Sequence, residues 1–399
     1  MQLQLSSETA EIETPAAAWG AVFALSLGAF ALVASEFMPV SLLTPIAADL
    51  GISEGQAGQA ISVSGAFAVL TSLFIASVAG RIDRKALLLA LTGVVIVSGT
   101  IVAIAPNYEI FMVGRAFIGV AIGGFWSMSA ATAMRLVPEH LVSRALAIFN
   151  GGNALATVIA APLGSFLGGL IGWRGAFLFV VPIAAIVFVW QLISLPSMRS
   201  ETRSGSANVF TLLKRPVVAF GMAAVGIFFM GQFALFTYIR PFLETAAHAG
   251  VSTLSLMLLA MGVAGFIGTT LIGGFLKEGL YRTLIAIPLL MAAIASALIA
   301  VSGGLAMTAF LLGVWGLFAT AAPVGWWTWV AETLPDDAEA GGGLMVAIVQ
   351  VAITAGAVVG GLLFDMSGYK LTFAVSAVLL LAAAALALLT LRSKRADLG

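Results

Sequence analysis

The sequence predicts an all-α membrane protein of twelve transmembrane helices, built as two pseudo-symmetric six-helix bundles. Three observations carry this reading. Apolar runs of spanning length recur along the chain, basic residues alternate between successive connections, and the second half repeats the first. Hydrophobic residues make up 61% of the 399 and charged residues 9%, with mean hydropathy +1.11. That balance lies outside the range of a soluble domain.

The runs begin near Trp19, Gln56, Leu87, Tyr108, Val142, Ala176, Val217, Thr253, Thr283, Ala306, Gly342 and Leu371. Each holds roughly 18 to 30 residues, enough at a rise of 1.5 Å to cross a ~30 Å hydrocarbon core. Of the eighteen Lys and Arg, fourteen fall at five sites. The even-numbered connections carry Arg81, Arg84 and Lys85; Arg135 and Arg144; Arg199, Arg203, Lys214 and Arg215; Lys277 and Arg282. Arg392, Lys394 and Arg395 form the tail, while the odd-numbered connections hold only Arg174 and Lys370. The positive-inside rule therefore places both termini in the cytoplasm. The expected location is the bacterial inner membrane.

Residues 1–18 carry Glu8, Glu11 and Glu13 and no basic residue, unlike a signal-peptide start, so the first helix is expected to be retained. With no cysteine there is no disulfide framework and no thiolate chemistry. The 44 glycines suit helices that pack closely through small residues. The expected division is a tail over 1–18, bundles over 19–195 and 217–391, a polar linker over 196–216 and a tail over 392–399.

The repeat is visible in register. At an offset of 199, Phe37 meets Phe236, Gly51 meets Gly250, Ser53 meets Ser252 and Phe67 meets Phe266. At 197, Gly119 and Pro138 meet Gly316 and Pro335. At 196, Gly164, Gly172, Arg174 and Phe177 meet Gly360, Gly368, Lys370 and Phe373. Offsets that drift only at loops indicate a duplicated six-helix unit in one orientation. Transporters that rock two bundles about a midplane site are built this way.

Local motifs sharpen the reading. Gly80-Arg81-Ile82-Asp83-Arg84-Lys85 resembles the loop between the second and third helices of the major facilitator superfamily, although Ala79 and Ala86 stand where that motif has glycine. Arg115-x-x-x-Gly119 is similar to its fourth-helix motif, with Ile118 in place of Gln. Ala161-Pro162-Leu163-Gly164-Ser165 resembles a softened fifth-helix signature of its antiporters. Runs such as Glu36-Phe37-Met38-Pro39 and Gly124-Phe125-Trp126-Ser127 resemble bacterial purine-ribonucleoside exporters, a subgroup shared with sugar efflux proteins.

Candidate site residues follow. Glu36 lies roughly 25 Å along the first helix by helical rise. A charged residue at a helix centre costs about 2.5–3.5 kcal/mol on insertion scales, so it turns to a cavity or a partner. Burial favours the neutral acid and an arginine favours the carboxylate, so a carboxyl alternating between such surroundings can carry a proton. A static ion pair is the alternative. Arg115 is the candidate partner; the resemblance implies a coupling role, and the alternative is an arginine that satisfies carbonyls at a helix break.

By the resemblance, the first, fourth, seventh and tenth helices line the cavity. Phe37, Trp126, Phe233, Phe236, Tyr238, Trp326 and Trp329 would stack on a flat base, with Ser129, Asn150, Asn153, Gln232 and Gln350 fixing its edges. Asp83, Arg84 and Lys85 are expected to form a latch against the start of the eleventh helix at Gly341-Gly342-Gly343. Arg240, before Pro241, is placed at a gate. With two histidines, no P-loop and no nucleophile elbow, nothing suggests a metal centre, an ATP-driven pump or an enzyme. The expectation is a proton-coupled exporter of purine ribonucleosides that acts as a monomer in the bilayer. It would use the proton gradient and no cofactor, and bind no nucleic acid. Sugar or multidrug efflux, and a membrane sensor without transport, are the rivals.

Overall fold

The computed structural model describes residues 17–79, 82–198, 209–301, 304–335 and 337–397. Most of the expected N-terminal tail, Gly80-Arg81, Arg199, Arg203 and Asp336 lie outside the described residues. All regular structure among the described residues is helical: α1 (Trp19–Leu50), α2 (Glu54–Ala79), α3 (Arg84–Ile104), α4 (Tyr108–Arg135), α5 (Val142–Ser194), α6 (Pro216–Phe236), α7 (Ile239–Thr245), α8 (Val251–Ala300), α9 (Leu305–Thr333) and α10 (Ala338–Asp397), with two short 3-10 turns.

Eight of the described segments are long and apolar enough to cross a membrane. Three of them are double spans. α5 leaves helical geometry at Gly172, α8 at Gly279 and α10 at Gly368, and each break separates two spans. Gly172 and Gly368, a repeat pair, have φ of 75° and 70°. A Cβ would strain that conformation, so glycine is required. α6 and α7 share the seventh span, interrupted at Thr237 and Tyr238 ahead of Pro241. With α2, more polar through Gln56, Gln59, Ser62 and Ser64, the twelve expected spans are present.

The duplication is repeated in the packing. A Cβ on Gly119 would strike the Ser64 carbonyl, and a Cβ on Gly316 would strike the Met261 carbonyl. Both pairs are related by the offset of 197. Each half thus brings its second and fourth helices into contact through a glycine at the same level.

Twelve spans return both ends of the described chain to one face, which also carries Arg84, Lys85, Arg135, Arg144, Lys214, Arg215, Lys277 and Arg282. This is called the basic face below, and the opposite one the far face. Towards the far face the bundles touch along two seams. In the first, α2 meets the eleventh span: Gly55 faces Asp365, the Ser62 hydroxyl donates to the Thr354 carbonyl at 3.2 Å, and Gly65 faces Thr354. In the second, α5 meets α8: Ser255 donates to the Ser165 hydroxyl at 2.9 Å, and Gly262 lies on the Val158 carbonyl.

Both seams end before the basic face. Gly343 lies two turns from Gln350 on the same helix face, and Gly151 two turns from Val158. A Cβ at either would meet nothing within 4 Å, and the same holds at Gly273 on α8. The bundles are closed on the far face and splayed on the basic face.

Candidate functional site

α1 crosses the membrane with two prolines inside it, Pro39 and Pro45. Proline has no N–H, so the carbonyls four residues earlier, Ser35 and Ser41, lose their helical partners. Each is met by an arginine. Arg115 of α4 donates from Nη1 to the Ser35 carbonyl at 2.8 Å, from Nη2 to the Glu36 carbonyl at 2.8 Å and from Nε to the Ala60 carbonyl at 3.1 Å. Its Nη2 also reaches the Ser64 hydroxyl at 3.3 Å. Arg240 of α7 donates from Nη1 to the Ser41 carbonyl and from Nε to Glu244 at 2.8 Å. One bundle therefore repairs the first break in α1 and the other bundle the second.

Arg115 is fully buried, and Glu36 is buried. Arg115 forms no salt bridge with Glu36 among the described residues; it satisfies carbonyls at a helix break, as the alternative reading had it. The salt bridges among the described residues are Arg174–Asp49, Arg240–Glu244 and Lys394–Glu332. Arg115 spends its donors on carbonyls at the Pro39 break, and it faces the Glu36 carboxyl only through charge. Gln350, from the other bundle, stands near this carboxyl. Beside it, the Phe37 and Phe233 rings lie 5.6 Å apart, and Phe233 meets Phe236 edge-on at 5.7 Å. Glu36, Phe37, Phe233, Phe236 and Gln350 thus form one group across the bundle interface, above the splayed cleft. Two further polar atoms close by in sequence, Gln232 Oε1 and Thr354 Oγ1, are buried without a hydrogen-bond partner among the described residues. Thr354 was not expected; it lies one turn beyond Gln350 on the same helix face.

Other expected cavity residues are elsewhere. Trp326 and Trp329 are buried in the core of their own bundle, edge-on to each other at 5.9 Å, and the exposed neighbour is Trp327. They do share a face, but it is the inward one. Ser129 is fully buried and donates to the Phe125 carbonyl of its own helix. Trp126 packs edge-on against Phe125 and Phe149 within its bundle. Asn150 is exposed and turns its amide back to the Leu146 carbonyl; Asn153 is half-buried, on the same helix. Tyr238 is fully buried near the far face, where it donates to the Ala357 carbonyl at 2.9 Å and stacks on Phe364. It closes the seam and does not line the cleft.

The expected contact between Asp83 and the start of the eleventh helix is also not formed. Asp83 caps α3 instead, accepting the Lys85 N–H at 2.7 Å and the hydroxyl of Ser197, while the Arg84 N–H donates to the Met198 carbonyl. The splaying of the basic face removes the eleventh helix from reach: nothing lies within 4 Å of a Cβ on Gly343. The Ser197 hydroxyl, then the N–H groups of Lys85, Ala86 and Met198, hold the Asp83 carboxyl below its usual range. A depressed carboxyl stabilises the fold above its unfolded value and loses that contribution as the pH falls through the folded one. The melting temperature of Asp83→Ala should therefore trail wild type at neutral pH and converge on it below about pH 4. A constant gap across that range would exclude Asp83 as a charged cap.

The comparisons with known proteins agree with this architecture. The model of the Major Facilitator Superfamily matches residues 25–342. A relative from Pseudomonas aeruginosa, named transcription regulatory protein OpdE, is 62% identical over 94% of both chains. The purine ribonucleoside efflux pump NepI of Salmonella enteritidis is 43% identical over 91% of both. Among solved structures, a bacterial homologue of the human lysosomal transporter Spinster, inward-facing and unoccupied, superposes with a TM-score of 0.74 at 15% identity, covering 94% of this chain and 97% of that one. The nucleoside transporter NupG, solved as a point mutant, superposes with 0.76 at 12%, covering 94% and 98%. At those identities the two structures speak to fold alone. Two repeated six-helix bundles, a cleft between them and a family match over most of the length have one reading: this is a multi-pass membrane transporter, not an enzyme, and it belongs to the Major Facilitator Superfamily.

Proposed function

We propose that the protein exports purine ribonucleosides from the bacterial cytoplasm in exchange for protons, by alternating access. The observation that carries this is the placement of Glu36. It is a buried carboxyl on a broken helix that faces Arg115 in its own bundle and Gln350 in the other. Rocking the bundles changes which of these it meets, and with it the balance between its charged and neutral forms. The basic face then lies in the cytoplasm by its charge, and the splayed cleft is the cytoplasmic entrance.

The substrate class rests on the relative named as a purine ribonucleoside pump and on the aromatic group beside Glu36. Phe37, Phe233 and Phe236 offer faces for a flat base; Gln350, Gln232 and Thr354 offer hydrogen bonds for its edges. In proteoliposomes, an imposed pH gradient should drive inosine or guanosine against its own gradient, and ribose should not move. Phe233→Ala or Phe236→Ala should weaken nucleoside binding by about 1–3 kcal/mol, the range for base stacking on aromatic side chains. Equal binding of free ribose would remove the nucleoside assignment and leave the fold untouched.

The relative named as a transcription regulator favours a second reading, in which the protein senses a small molecule. Sequence-specific recognition of nucleic acid needs a reading element of adequate size. The described connections between spans are short turns. An effect on transcription would therefore run through the level of a small molecule that the protein binds or moves. Tight binding without flux in the same proteoliposomes would support sensing over transport.

A further inference from the structure

The far-face closure contains a carboxylate contact that crosses between the bundles. Asp365, near the end of the eleventh span in α10, sits over the first turn of α2. Its carboxylate accepts the Ser53 hydroxyl at 2.5 Å and the Gly55 N–H at 2.9 Å. Helix N-termini present unpaired N–H groups and a positive potential, and both favour an anion.

α2 does not need this contact to begin. Ser53 and Gln56 already form a reciprocal cap: the Gln56 N–H donates to the Ser53 hydroxyl and the Ser53 N–H to the Gln56 amide oxygen, each at 3.0 Å. What Asp365 adds is a tie between bundles. The approach depends on Gly55, where a Cβ would fall on the Asp365 carboxylate and the Gly361 carbonyl. From this point the seam runs inward through Gly58 against Tyr238, then Ser62 and Gly65 against Thr354. Asp365 closes its outermost end. Asp83 is also an acid at a helix start, but its partners among the described residues, Lys85 and Ser197, lie in its own bundle.

We infer that Asp365 is a far-face latch that holds the two bundles together while the cleft is open to the basic face, and that releasing it is a step in opening the far face. The inference requires that the bundles rock, whichever solute they carry.

The absence of native cysteine makes the test direct. One cysteine is placed at Ile61, buried in the closed seam, and in a second protein at Ala347, half-buried and one turn from Gly343 on the open side of α10. Reaction with a small hydrophilic maleimide is then followed without any substrate. Adding Asp365→Ala should raise labelling at Ile61→Cys several-fold and lower it at Ala347→Cys. Gly55→Ala, which keeps the carboxylate but displaces it, should move both positions the same way. Opposite changes at the two sites identify a latch. Labelling that rises at both means general loosening, and labelling unchanged at both means no latch; either overturns the inference. Because no transport is measured, failure here is separable from failure of the nucleoside or proton assignments.

Discussion

Glu36→Gln should abolish proton-driven accumulation of substrate, to the level of empty liposomes, while the protein still folds and still binds. The amide keeps the size and shape of the carboxyl and can still pair with Gln350, which stands near position 36 in the other bundle. It carries no charge, so it cannot alternate between a form that suits Arg115 and a form that suits an apolar surround. The amide leaves no charge to bury in the span, so folding should not suffer. Three readouts separate coupling from general damage. Accumulation under a pH gradient should vanish, exchange of labelled for unlabelled substrate at equal pH should persist, and proton release on adding substrate to solubilised protein should disappear. A Glu36→Gln protein that still concentrates substrate in response to the gradient would move the proton to another group.

The fold was legible because spanning helices advertise themselves by length and composition, and the repeat fixed their pairing. Predicted starts at Trp19, Tyr108 and Val142 coincide with observed ones, and the others fall close by. The site was only partly legible. Glu36 and Arg115 stand out because charge inside an apolar run is costly, and Phe37 and Phe236 are marked by the repeat. Ser129, Trp326 and Trp329 were misplaced for one physical reason: a helix that is apolar all round has no sequence signal for which face turns inward. No role was read for Asp365 or Ser53, because polar residues at helix ends are ordinary. Their significance arises only from the approach of α2 to α10. The Asp83 latch depends on which face is closed, and a sequence does not specify a state.

Arg115 shows what a local rule can still recover. Pro39 removes one N–H from α1 and so obliges something to satisfy the Ser35 carbonyl deep in the membrane, where water cannot. Arg115 is that group, at 2.8 Å. Arg115→Met should therefore lower thermal stability markedly. The unpaired Ser35 carbonyl alone accounts for about 1–3 kcal/mol, and the charge facing Glu36 is lost as well. Pro39→Ala restores an N–H at the position that should bond Ser35, so the double variant should regain the carbonyl's share. A double-mutant cycle on melting temperature in detergent would then give a coupling of about 1–3 kcal/mol between two residues on different helices that do not need to touch. The same cycle separates two roles of one residue. If Arg115 only mends the helix, Arg115→Met with Pro39→Ala should transport as well as Pro39→Ala alone. If the guanidinium also tunes Glu36, stability should return and proton-driven transport should not. The alternating surroundings proposed for Glu36 require the second outcome, because the carbonyl can be satisfied by a backbone N–H but Arg115 is the cation that faces the carboxylate among the described residues.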